Sequence, residues 1–238
     1  MSSLYLIRHG QAGTRLEYDA LSETGRLQAR RLGRYLAAQK IPFRAALSGS
    51  LRRQSETARE TATACREAGA DFPEPAIDAG WNEFDLETVY REMAPALAAE
   101  DPQFRAGYGE LMRLAEDERH AVHRTWSPCD VAIARAWIEG RYPTTTETWE
   151  AFTARIRGCR ETLPPCEDGE AVAVFTSAVP IAIWVALALG VSTGPAMRLA
   201  GVMQNTAITT FRFRPEDLAL FSFNGVPHLP EAELRTFR

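Results

Sequence analysis

Four polar clusters in this 238-residue chain sit where chemistry could be done. Arg8-His9-Gly10 follows the apolar run Leu4 to Ile7, and Ser48 to Arg53 follows Ala45 to Leu47. Thr176-Ser177 ends a third run that starts at Ala171, and the loop Gly80-Trp81-Asn82-Glu83 brings a carboxylic acid. Short apolar runs without polar interruption suit strands buried on both faces of a parallel sheet. Sites in open α/β sheets gather at the carboxyl ends of such strands. A histidine, two arginines and a carboxylic acid gathered there suit phosphoryl transfer. Guanidinium groups match phosphate in a bidentate way, a neutral imidazole can attack phosphorus, and a protonated carboxyl can supply the leaving alcohol with its proton. On types and spacing alone, Arg52 and Arg53 serve equally as the second arginine, and Asp85 and Glu87 lie close to Glu83.

The elements that must position these groups follow from periodicity. Leu21-Ser22-Glu23-Thr24-Gly25 leads into a helix whose Ala29, Leu32, Gly33, Leu36 and Ala37 share one face. Arg26, Arg30, Arg31 and Arg34 lie off that face and read as a solvated surface. A second helix starts near Leu51 with Ser50 as its N-cap. Ala76 to Asp78 is a weak third strand. Leu86 to about Ile138 is irregularly helical, with Pro95, Pro102 and Pro128 as breaks. Thr144-x-x-Glu147 has the form of a capping box, and Trp149, Phe152, Ile156, Cys159 and Leu163 continue as an apolar stripe. Val179 to Leu189 reads as a buried helix with Pro180 in its first turn. Ala207 to Phe213 and Leu218 to Phe223 are alternating strands joined by a turn at Pro215-Glu216. Strands alternating with helices predict a three-layer α/β/α sandwich with a mainly parallel central sheet and a helical insertion or cap.

Composition narrows the function classes. Net charge is -4, which gives no reason to expect nucleic acid or an anionic membrane as partner. Cys65, Cys129, Cys159 and Cys166 form no CxxC pair and no metal-type spacing, as for reduced thiols in a cytoplasmic protein. The start of the chain lacks a signal-peptide pattern, and Ala178 to Val191 is too short to span a bilayer. His120 and His123 stand three apart without further ligands, and read as a solvated helix rather than a metal site. Nothing in the sequence sets the oligomeric state.

The ordered motifs resemble those of the histidine phosphatase, or phosphoglycerate mutase-like, superfamily. Leu4-Tyr5-Leu6-Ile7-Arg8-His9-Gly10-Gln11 looks like its opening strand and catalytic loop. Leu21 to Ala29 resembles its next stretch, and Ser48 to Ala58 the segment with its second phosphate-binding arginine. Asn205-Thr206-Ala207-Ile208-Thr209 looks like its late strand entry. The resemblance implies one domain over 1–238, with an insertion at about 86–141. It implies that His9 is the nucleophile and becomes a phosphohistidine. Arg8 and Arg53, rather than Arg52, bind the phosphate, and Glu83 is the general acid. It requires no metal or organic cofactor, and the substrate is a small phosphorylated molecule. Gln11 is a further candidate for the pocket wall. The sequence departs from the family at Ser177, where a second histidine is usual. Losing a charged donor there costs a few kcal/mol of transition-state binding, roughly a hundredfold in rate. The hydroxyl of Ser177 and nearby backbone N–H groups would share the phosphate instead. Three functions therefore stand: a phosphomonoester hydrolase, a phosphoglycerate mutase, and a degenerate member that binds phosphorylated ligands without turnover. Ala12 to Asp19 does not resemble the Asn- and Trp-containing stretch of the mutases. His228 is a candidate to replace the lost imidazole from the tail.

Overall fold

The computed structural model describes every residue except Leu16, Pro195, Pro215 and Glu216, and gives Ala196 by its backbone alone. The strands are β1 (Ser2–Arg8), β2 (Phe43–Ser48), β3 (Ala76–Ile77), β4 (Ala171–Thr176), β5 (Ile208–Arg214) and β6 (Asp217–Gly225). They form one six-stranded sheet in the order β3-β2-β4-β1-β5-β6. β3, β2, β4 and β1 run parallel, while β5 is antiparallel to both β1 and β6. The sheet is thus mainly parallel, as expected. The turn predicted at Pro215-Glu216 lies outside the described residues.

Helices α1 (Glu23–Gln39) and α2 (Arg52–Glu67) cover one face of the sheet. Their Leu32, Leu36, Ala58 and Ala62 pack against Ile7, Ala173 and Phe175. Helices α3 (Leu86–Glu100), α4 (Pro102–Leu114), α5 (Pro128–Ile138), α6 (Trp149–Gly158), α7 (Ala178–Leu189) and α8 (Ala196–Val202) complete the chain. A larger core joins Leu4, Leu6, Val172 and Val174 on the second face to α7, α6 and the region from α3 to α5. Alternation along β1 explains the division, since Leu4 and Leu6 point to one side and Ile7 to the other. Helix α7 is buried from Ala178 to Ala186, which is why it is apolar all round.

Several local expectations are corrected. α2 has Leu51 at its N-cap without a side-chain bond, because Ser50 is occupied by Asn82. Thr144 does not open a capping box. Its hydroxyl and that of Thr145 donate to Glu92, Thr148 caps α6, and Glu147 pairs with Arg155. β5 is buried at four successive positions instead of alternating, since it is covered on both faces. His120 and His123 are not a solvated helix. They border a 3-10 turn, and His123 is buried with Nδ1 accepting the Arg15 N–H. Among the described residues, no helix is long and apolar enough to cross a membrane.

Candidate active site

Strand register brings the first three polar clusters together. Arg8 on β1 lies beside Thr176 on β4, and Ser48 on β2 beside Phe175. The chain then leaves all three strands at one edge. His9 N–H donates to the Thr176 carbonyl and Gly49 N–H to that of Phe175. The His9 carbonyl accepts from Asn205 Nδ2 and from Thr206 N, which fixes the loop from the far side. Gly10 N–H donates to Thr57 on α2. Gly10 and Gly25 touch backbone to backbone, and a Cβ on Gly10 would stand 2.6 Å from the Gly25 carbonyl oxygen.

The His9 ring is held by a 2.8 Å bond between Nδ1 and the Gly10 carbonyl. Nδ1 therefore carries the proton, and Nε2 keeps its lone pair. Burial pushes the His9 pKa well below the ordinary value, and the charges of Arg53 and Arg8 push it further down. The ring is neutral at physiological pH. Arg8 is 1% exposed and, among the described residues, makes no ion pair with a carboxylate. It donates to the Met203 and Phe237 carbonyls, while its Nε is buried without an acceptor. Arg53 is also buried, pairs with Asp19 at 2.9 Å, and likewise leaves Nε unpartnered. Buried guanidinium donors of this kind can take the oxygens of an anion.

Glu83 follows the 3-10 turn Ala79–Trp81. Its carboxylate accepts from the N–H groups of Val179 and Phe84. Burial outweighs these bonds and the Arg53 and Arg8 charges, and raises its pKa to about 7. The structure thus gathers Arg8, His9, Arg53 and Glu83 into one electrostatic cluster, with Arg53 and not Arg52 turned inward. Arg52 instead pairs with Glu56 at the surface.

The remaining candidates stand differently. Ser177 is buried, and its hydroxyl accepts from Gln54 Nε2 at 2.8 Å, so α2 already holds it. The side-chain oxygen of Gln11 accepts from Ser22, and Gln11 does not line the cavity described below. His228 meets the Thr206 hydroxyl at 2.9 Å and faces Tyr35 of α1. It supports the back of the loop, and burial lowers its pKa to about 4. A replacement imidazole in the anion site is therefore not what His228 provides.

Sequence reasoning missed Tyr18, Asp19 and Arg238. The Tyr18 ring stands edge-on to His9, with centroids 6.4 Å apart. The guanidinium groups of Arg53 and Arg238 lie 4.9 and 5.0 Å from its centre. It also lies beside the Arg8 side chain. His9 is only 1% exposed, so Tyr18 separates it from the open cavity. That cavity, of about 1260 Å³, is bordered by Tyr18, Arg53, Glu83 and Arg238 and extends along α3 and α4. An aromatic residue in a loop and an arginine far along the chain give no periodic signal, which is why the sequence did not show them. Among the described residues, no group of three or more His, Cys, Asp or Glu could hold a metal ion.

Comparison with known proteins places this geometry. The sequence model of the histidine phosphatase superfamily (branch 1) matches residues 4–110 and 107–225. No curated protein sequence matches. Among solved structures, the α-ribazole phosphatase of Shigella flexneri superposes with a TM-score of 0.61 at 18% identity, covering 94% of this chain and 96% of that one. Phosphoglycerate mutase from Bacillus anthracis gives 0.60 at 18%, covering 95% and 94%. A mycobacterial glucosyl-3-phosphoglycerate phosphatase gives 0.57 at 21%, covering 94% and 98%. At these identities the structural likeness speaks for the fold, and the sequence match speaks for descent. The chain belongs to the histidine phosphatase superfamily, branch 1.

Proposed function

We propose that the chain hydrolyses a phosphomonoester through a phosphohistidine on His9. The observation that carries this reading is the Nδ1 bond to Gly10. It aims a neutral Nε2 into a cluster where Arg8 and Arg53 keep buried donors without acceptors. In the reaction, the substrate phosphoryl oxygens take those donors, and Nε2 attacks phosphorus. The P–O bond to the alcohol breaks as the P–N bond forms. Glu83, protonated below about pH 7, gives its proton to the departing alkoxide. The resulting carboxylate then takes a proton from water. The hydroxide attacks phosphorus, the P–N bond breaks, and phosphate leaves with His9 neutral again. The arginines stabilise charge developing on the equatorial oxygens in both steps. Tyr18 must swing aside for the phosphoryl group to reach His9.

A second reading rests on Ser177. With its hydroxyl held by Gln54 and no imidazole in its place, the site has fewer mobile donors, which suits a slow or purely ligand-binding member. Purified protein assayed on p-nitrophenyl phosphate and on 3-phosphoglycerate separates the possibilities. The expected result is release of p-nitrophenol that falls by at least about a thousandfold in His9→Ala. Interconversion of phosphoglycerates would point to a mutase. Protection against heat by phosphate without any turnover would point to the binding reading.

A further inference from the structure

The cavity is far larger than a phosphoryl group needs, and its two ends differ in chemistry. The near end carries Arg53, Glu83, Asp19 and Arg238. The far end is walled by two helices that turn apolar stripes toward the same space, with Glu87 and Arg91 of α3 also on its border. On α3 the stripe is Leu86, Ala94 and Ala98, with Tyr90 between, at successive four-residue spacings. On α4 it is Leu111, Met112 and Ala115. The α3 stripe, from Leu86 to Ala98, is about 18 Å long at about 1.5 Å per residue.

Most of this wall also belongs to the core: Ala94, Leu111 and Ala115 are buried in it, and Leu86, Tyr90 and Ala98 pack against it half-buried. Met112 is 46% exposed, whereas Ala94 and Leu111 beside it are buried. The rest still faces the cavity, and an apolar wall beside a few placed polar groups is the usual make-up of a small-molecule site. The stripe is continuous with the anion-binding end, so an occupant of that end would extend along it. We infer that the substrate is an amphiphilic phosphomonoester, whose organic group is an extended apolar chain or fused ring lying between α3 and α4. This inference rests on the proposed phosphate-binding role of Arg8 and Arg53. It predicts that binding strength comes from the apolar group as much as from the phosphate. Each methylene seated on the stripe strengthens binding by about fourfold, the equivalent of about 0.8 kcal/mol.

Binding of inorganic phosphate and of methyl-, butyl-, hexyl- and octylphosphonate, followed by titration calorimetry, tests this without relying on turnover. The expected result is a steady rise in affinity with chain length and a negative heat-capacity change that grows with it. Ala98→Glu and Met112→Glu place charge on the stripe, at a half-buried and an exposed position respectively. Each variant is expected to flatten the dependence on chain length, with thermal melts reporting the fold. Affinity independent of chain length in the wild-type protein would overturn the inference. So would a rise that both variants leave intact, since the chain would then lie elsewhere. Parallel turnover of p-nitrophenyl phosphate reports on the catalytic reading separately. An active enzyme with a flat series refutes only the apolar site, and a rising series without turnover refutes only the hydrolase.

Discussion

In the proposed reaction, timing depends on Glu83. Burial holds its carboxyl at about 7 against an ordinary 4.5, so near neutrality it is present in both protonation states. As the proposed acid of the first step it must be protonated, and that fraction falls as pH rises through about 7. The kcat/KM for p-nitrophenyl phosphate is therefore expected to decline on the alkaline side with an apparent pKa near 7. Glu83→Gln should lose most of the rate for poor leaving groups and abolish that limb. The same shift makes a stability statement. The raised pKa favours folding fully below the unfolded value of about 4.5, and this contribution is lost as pH rises through 7. Glu83→Gln should then melt higher than wild type at about pH 8, on the order of 1–2 kcal/mol after solvent screening, and the gap should close toward pH 4.5. At this scale the sequence was legible where motifs are contiguous. Arg8, His9, Arg53 and Glu83 lie near one another because each ends a strand or follows its end within a few residues. Tyr18 and Arg238 were not legible, because what brings them to His9 is tertiary packing of a loop and a tail.

Elements hold these residues to their places through backbone contacts. The loop after β1 is closed at its base by a bridge between Ala12 and Leu21, and by the Ser22 N–H donating to Gln11. Ser22 then caps α1 by accepting from Gly25 N. Gly25 is packed so tightly against Gln11 that a side chain there would collide with its backbone. Gly25→Ala is expected to cost about 1–3 kcal/mol, read as a lower denaturation midpoint, and to reduce turnover by shifting the loop. The start of α1 was visible in Ser22 and its apolar periodicity, but the reason for Gly25 lies in a contact with another segment. Caps were misread for a similar reason. Ser50 and Thr144 have the right chemistry, yet Asn82 and Glu92 offer them better partners from elsewhere in the chain. Periodicity fixes where an element runs, whereas the use of its terminal polar groups depends on neighbours the sequence does not announce.

At the scale of the molecule, Asp130 ties three distant parts together. Arg15 from the loop after β1, Tyr90 from α3 and Arg238 from the tail all meet this fully buried carboxylate at the start of α5. Burial would raise its pKa, but the Arg15 bonds and the Arg238 charge outweigh it and leave it at about 2. Its contribution to stability is therefore full above about pH 4 and is lost as pH falls through 2. Asp130→Asn leaves buried arginines without their charge partner. It should cost about 3 kcal/mol in urea unfolding and loosen Tyr18, whose loop Arg15 anchors. The sandwich that carries all this was readable from alternating strands and helices. The clamp between α3, α5, loop and tail was not, because contacts across more than a hundred residues leave no local pattern. All of these contacts converge on the proposed chemistry at His9. Its most direct test is to mix the protein with p-nitrophenyl phosphate, quench in alkali within milliseconds, and map phosphate by peptide mass spectrometry. The account predicts one acid-labile phosphoryl group on His9, absent from His9→Ala. Turnover with no phosphorylated histidine, or with the phosphoryl group on another residue, would contradict it.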